Sequence, residues 1–237
     1  MCTEYIKSER HFSFSLRYFP RWLINIVFRC YASHFVRRLM TEKSLSDLAI
    51  GDAHLREERV SGEAIYDGIF LQMKRDVVRL PDGAEAMREY LTHPGAVAIL
   101  AILDDGRVLM ERQYRYPIAK ACLEIPAGKL EIGEDPLLCA QRELLEETGY
   151  TASTWSFIRR INPVISYSTE FIDIYLAQGL IEGKSQLDAE EFLDVFAAPL
   201  EDLLQWVERG EITDVKTIIS SYWLERYRRG LVLPKSL

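Results

Sequence analysis

The sequence predicts an α/β fold in which a mixed sheet is covered by helices on both faces, preceded by a small antiparallel β subdomain. Three observations predict it. Strand-like and helix-like segments interleave from residue 48 onward, as in layered α/β architectures. Residues 55–60, 64–75 and 76–80 alternate polar and apolar side chains with the period of two expected of half-exposed strands. Residues 128–150 carry their own start and stop signals for a helix.

Composition narrows the class. Apolar residues make up 48% and charged residues 27% of the 237, ordinary for one large domain or one domain with a small second lobe. A net charge of −7 argues against a protein that coats nucleic acid, which needs surplus Lys and Arg for phosphates. Cys2, Cys30, Cys122 and Cys139 show neither CxxC nor a disulfide-framework spacing, and the four histidines lie away from them. That pattern suits a reducing cytoplasm and suggests no zinc site.

In chain order, residues 1–39 come first: basic, aromatic, and carrying Lys7, Arg10, Arg17, Arg21, Arg29, Arg37 and Arg38 against Glu4 and Glu9. Their longest apolar run, residues 22–28, is far short of the roughly 20 residues of a membrane span. The segment reads as an unstructured extension ahead of a start at Met40, with a membrane-surface anchor as the alternative. Residues 48–92 form the expected β subdomain. Ser61-Gly62 separates its strands, Pro81-Asp82-Gly83 closes them, and a short turn is expected at residues 87–91.

The main domain is expected over residues 93–230. Residues 96–103 are a continuous apolar run, the mark of a buried strand; Asp104-Asp105-Gly106 turns the chain, and residues 107–114 return beside it. A short strand at 123–125 leads through Pro126-Ala127-Gly128 into the helix. There Asp135 is the expected N-cap, Pro136 suits the first helical position, and Gly149 suits the left-handed stop. Strands follow at 154–161, 171–177 and 192–197, then helices at 199–209 and 214–229 with Gly210 and Gly230 as breaks.

The chemistry concentrates in residues 128–150. Glu143, Glu146 and Glu147 stand at i, i+3 and i+4, so their carboxylates share one helix face, while Leu137, Leu144 and Leu145 can face a core. Hard divalent cations such as Mg²⁺ take oxygen ligands and bind carboxylates together with substrate phosphates. A solvated acidic face, with Arg142 paired to a neighbour, is the alternative for the RExxEE string alone. The full pattern G-x5-E-x7-R-E-U-x-E-E-x-G-U, with U apolar, is met without departure by Gly128, Glu134, Arg142, Glu143, Leu144, Glu146, Glu147, Gly149 and Tyr150. It resembles the Nudix box of the Nudix hydrolases.

The resemblance implies a Nudix α/β/α sandwich. It implies Glu143 and Glu147 as the main ligands for Mg²⁺, with Mn²⁺ as a substitute, Glu146 assisting and the Ala127 carbonyl completing the shell. Arg142 would orient a glutamate by a charge-assisted hydrogen bond. Glu134 would stabilise the loop–helix junction or add an outer contact, unless it is a solvated first-turn acid favoured by the helix dipole. The stretches ERQYRYP (111–117) and LEIPAGK (123–129), Pro163 beyond the box, and residues 191–218 resemble the ADP-ribose pyrophosphatase branch. The resemblance spans roughly residues 48–230.

For that branch the expected reaction is attack of water on one phosphorus of ADP-ribose, releasing AMP and ribose 5-phosphate. Another nucleoside diphosphate sugar or a dinucleotide is the alternative substrate, and a non-catalytic ADP-ribose sensor the alternative role. Arg115 would contact the pyrophosphate unless it is a surface arginine, and Arg88 is the second phosphate candidate behind it. The general base would be Glu190 or Glu191, with Glu170 as rival. Members of the branch are commonly homodimers with an exchanged N-terminal meander. In that layout Tyr66 and Phe70 could stack on a base, or be ordinary sheet core.

Overall fold

The computed structural model describes residues 51–187 and 191–235. The chain divides into two compact units, Met1–Arg56 and Glu57–Leu237. In the first, the described part is a single 3₁₀ turn, Asp52–His54. The expectations for residues 1–39 and for a start at Met40 fall outside the described residues.

The second unit opens with a meander of β1 (Glu58–Asp67), β2 (Gln72–Arg79) and β3 (Glu85–Thr92), paired in that order and antiparallel. Two expectations are corrected here. Ser61-Gly62 is no break: β1 runs through it, with register shifts on either side. Gly62 serves close approach, since a Cβ there would stand 1.8 Å from Asp76 Oδ1, and the true reversal follows Asp67, where Gly68 N donates to Leu71 O at 2.9 Å. Residues 87–91 are not a turn but lie within β3. Buried Asp76 on β2 accepts from Tyr90 Oη of β3 at 3.0 Å and meets Arg59 Nε of β1 at 3.0 Å, so one carboxylate ties all three strands. Cross-strand pairs such as Arg75–Glu89 add to it.

β4 (Ala96–Ala101) is buried at every position, as its apolar run predicts. It pairs antiparallel with β7 (Ala127–Lys129) and parallel with β9 (Ile172–Glu182), which pairs antiparallel with β8 (Tyr150–Ile161), so the sheet is mixed. A second sheet joins β5 (Val108–Arg115) to β6 (Lys120–Glu124) and β10 (Leu193–Ala198). The helices are α1 (Pro136–Thr148), α2 (Leu200–Glu208) and α3 (Val215–Arg228).

Alternation along β4 divides the core between the helices. Val97, Ile99 and Ala101 pack with Cys139, Ala140 and Leu144 of α1. Ala98 and Leu100 join Leu200 and Leu203 of α2 and Trp223 and Leu224 of α3 on the other face. Successive strand residues point to opposite sides, so six buried residues in a row need cover on both faces, and Val108 and Met110 of β5 share that role with α2 and α3 on the second face. Among the described residues, no helix is long and apolar enough to cross a membrane.

Candidate active site

The chain positions its box by capping α1 at both ends. Asp135 accepts from Leu137 N at 2.9 Å and Leu138 N at 3.2 Å, and Pro136 fills the first turn. Gly149 stops the helix at φ 77°, its N–H on Leu145 O. With both ends held, the phase of α1 is set: Leu144 enters the core while Glu143 and Glu147 face the loop through Ala127 and Gly128.

That loop is pinned to β4, with Ile99 N donating to Pro126 O at 2.8 Å. Alternation on an antiparallel ladder then turns the N–H and C=O of Ala127 away from β4. The N–H donates to Glu147 Oε2 at 3.1 Å, and the carbonyl shares that side. Gly128 has a steric reason to be glycine. A Cβ would lie 1.8 to 2.3 Å from the Glu143 carboxylate, so no other residue leaves that carboxylate where it is.

Arg142 organises the rest. Its Nε and Nη2 reach the two oxygens of Glu134 at 2.9 and 3.0 Å, and its Nη1 reaches Glu143 Oε1 and Glu146 Oε2, each at 2.9 Å. Glu134 also accepts from Glu131 N at 2.9 Å, tying the loop to the helix. The Arg142 guanidinium holds the Glu134 carboxyl down at about 2.

Glu143 and Glu147 show the opposite behaviour. Burial, then the neighbouring carboxylates, pushes the Glu147 carboxyl far above the usual range, and burial raises Glu143 as well. Glu111 of β5 lies against Glu147, only 3% exposed, and burial raises its carboxyl too. Its Oε1 is buried without a hydrogen-bond partner.

Among the described residues, no cluster of His, Cys, Asp and Glu already stands in ligand geometry. The donor set nevertheless fits a hard divalent cation. It consists of oxygens, carries crowded negative charge with an orphaned buried oxygen, and opens onto a cavity.

That cavity, about 380 Å³, is bordered by Glu143, Glu147, Arg115, Phe70, Glu170 and Glu191, and Ala127 also lines it. A neighbouring one of about 640 Å³ adds Arg142 and Glu146, and shares Glu143, Glu191 and Phe70 with the first. The structure therefore brings together most of the residues singled out in the sequence. Arg88 and Tyr66 stand apart from these linings. Arg88 is engaged with Glu57, Nε to Oε2 at 2.9 Å, and Tyr66 is 59% exposed on β1. Glu190 lies outside the described residues.

Sequence reasoning missed the support beneath Arg115. Arg115 forks onto Glu124 at 2.8 and 2.9 Å, and buried Lys216 of α3 also binds Glu124. Burial opposes the charge of Glu124, yet Arg115 and Lys216 hold its carboxyl down at about 2. Lys216 meets Asp214 at 3.1 Å, and the Asp214 side chain caps α3 by accepting from Thr217 N at 2.9 Å. No local signal links residues 92 apart. Glu111 left a faint one, an acid at an inward position of the strand run VLMERQYR.

The NUDIX domain family profile matches residues 92–225. An ADP-ribose pyrophosphatase of Bacillus subtilis is 40% identical over 173 residues, covering 72% of this chain and 94% of that protein. A methanol dehydrogenase activator of Bacillus methanolicus is 39% identical, covering 71% and 92%. An ADP-ribose pyrophosphatase of Mycobacterium tuberculosis is 36% identical, covering 76% and 88%. A crystal structure of an ADP compounds hydrolase superposes with a TM-score of 0.67 at 22% identity, covering 75% of this chain and 98% of that one.

Proposed function

The chain belongs to the Nudix hydrolases, and from that premise we propose that it cleaves the pyrophosphate bond of ADP-ribose to AMP and ribose 5-phosphate with Mg²⁺. The observation that carries this reading is the crowd of carboxylates, buried Glu147 and Glu111 with half-buried Glu143 against the Gly128 loop, at a cavity also bordered by Arg115. Two relatives bearing the name ADP-ribose pyrophosphatase support the substrate.

In this reading Glu143, Glu147 and the Ala127 carbonyl would hold the cation, with Glu146 assisting. Mn²⁺ would serve in place of Mg²⁺. When bound, such a cation neutralises the diphosphate and acidifies the attacking water. Arg115 keeps its fork on Glu124 and presents the remaining guanidinium edge to a phosphoryl oxygen. Arg142 holds Glu143 and Glu146 in place without touching substrate.

Glu191 borders both cavities, whereas Glu170 borders one, which supports Glu191 over Glu170 as general base, with Glu190 the neighbouring candidate. Glu191→Gln should lower kcat by about 10²-fold, and Glu170→Gln by much less. Wild-type kcat in that variant, with the loss seen instead in Glu170→Gln or Glu190→Gln, would move the assignment. The overall test is steady-state hydrolysis across ADP-ribose, ADP-glucose, GDP-mannose and NADH with products identified. Preference for another nucleotide sugar would leave the chemistry standing and change the substrate.

A second copy of the chain is the proposed partner. β1 is exposed along its whole length, and Val60, Ile65 and Met87 of the meander carry apolar surface to solvent. A second protomer would cover that surface and bring Tyr66 toward the partner's cavity. Light scattering should give twice the 27.4 kDa chain mass; a single-chain mass at micromolar protein would rule the dimer out.

A further inference from the structure

The cations bordering the two cavities are mostly committed. Arg142 is held by Glu134, Glu143 and Glu146, Arg115 by Glu124, and Lys216 by Glu124 and Asp214. Lys129 of β7 borders both cavities, and among the described residues no carboxylate pairs with it. It is not a loose surface lysine either. Its ammonium rests 4.3 Å from the centroid of the Phe70 ring, a cation–π seat that places the charge while leaving its N–H donors available.

Phe70 in turn meets His93 edge-on, centroids 5.6 Å apart. The His93 ring is oriented by its own loop. Nδ1 accepts the Gly95 N–H at 3.0 Å, and the backbone N–H of His93 donates to Thr169 Oγ1 at 2.9 Å, fixing the main chain from which the ring projects. With Nδ1 occupied as an acceptor, the neutral ring carries its proton on Nε2. Burial favours that neutral form. Among the described residues Nε2 has no partner, and His93 borders both cavities.

We propose that Lys129 and the Nε2–H of His93 form an anion subsite that takes non-bridging oxygens of a nucleoside diphosphate, next to the box carboxylates. This rests on the diphosphate-hydrolase reading above. A diphosphate entering beside Glu143 and Glu146 meets like charge, and the guanidinium charges of Arg142 and Arg115 are already balanced by carboxylates. Lys129 supplies the uncompensated positive charge, and His93 adds a directional donor that fixes where an oxygen sits. Phe70 seats the lysine and packs on the histidine, so the three residues act as one recognition unit.

The test is calorimetric binding of ADP and of adenosine to the full-length protein at saturating Mg²⁺, with ADP-ribose kinetics alongside. Lys129→Met keeps the aliphatic stem on Phe70 and removes the charge. It should weaken ADP about tenfold, leave adenosine unchanged, and raise KM for ADP-ribose with kcat within about threefold. Lys129→Arg should restore ADP affinity. His93→Asn preserves an acceptor for the Gly95 N–H while withdrawing the donor, and should weaken ADP by about threefold to tenfold. Wild-type ADP affinity in Lys129→Met, or a wild-type protein that does not bind ADP, overturns the subsite. The two readings separate cleanly. ADP binding that needs Lys129 without hydrolysis of ADP-ribose keeps the subsite and removes the hydrolase assignment. Hydrolysis with ADP binding indifferent to Lys129 does the reverse.

Discussion

Glu147→Gln is expected to lower kcat by about a thousandfold, since losing one carboxylate from a cation site removes several kcal/mol of transition-state charge stabilisation. The change is nearly isosteric, and the amide can still accept the Ala127 N–H now bound by Glu147 Oε2. Folding should therefore survive. In metal-free protein it should even improve at high pH, and the sign follows from the raised carboxyl.

A carboxyl whose folded value stands above 4.5 binds more protons in the native state than in the unfolded chain. Stability is then lost as pH rises above 4.5 toward the raised value. Glu147, crowded by burial, Glu111 and Glu143, is such a group. The wild-type protein in EDTA should lose melting temperature between pH 5 and pH 9, and Mg²⁺ should recover it; Glu147→Gln should show a shallower loss and a weaker Mg²⁺ effect. Melting curves at several pH values with and without Mg²⁺ check this. Wild-type turnover in Glu147→Gln would remove Glu147 from the ligand set.

Arg142→Ala should reduce both stability and activity. Its guanidinium holds Glu134, Glu143 and Glu146 together, and its removal leaves carboxylates that are half-buried and mutually repelling. The expected loss is about 2 kcal/mol of stability, less than for a fully buried pair because Arg142 is partly exposed. About a hundredfold loss in kcat/KM should accompany it as Glu143 leaves its position.

Arg142→Lys should recover little, because a compact ammonium cannot reproduce a fork that bridges three carboxylates. The acid limb should change too. Glu134 held at about 2 contributes stability that is present above 4.5 and disappears as pH falls through 2. Without Arg142 that contribution should be absent across the whole range. Chemical denaturation at pH 7 and pH 3 separates the cases, and equal stability of wild type and Arg142→Ala would sink the prediction.

How far the site could be read in advance followed the range of each signal. α1 was legible because Asp135, Pro136 and Gly149 act on neighbours within a turn, and the structure places the caps where those residues stand. β4 was legible because six apolar residues in a row have few alternatives to a buried strand. The meander was misread at Ser61-Gly62 because a glycine needed for close approach looks, in sequence, like a glycine needed for a turn. Asp76 decided between them from another strand.

The identity of the box, the helix that presents it and the layered α/β class were therefore determined by the sequence itself, since caps, periodicity and spacing act within a few residues. Tertiary structure alone decided that Arg115 and Lys216 share Glu124, that Glu111 is buried against Glu147, and that Lys129 sits on Phe70 beside His93. Except for Arg115 and Glu124 on neighbouring strands, those contacts join residues far apart in the chain. A charge or an aromatic ring has no preferred partner until packing brings one within reach.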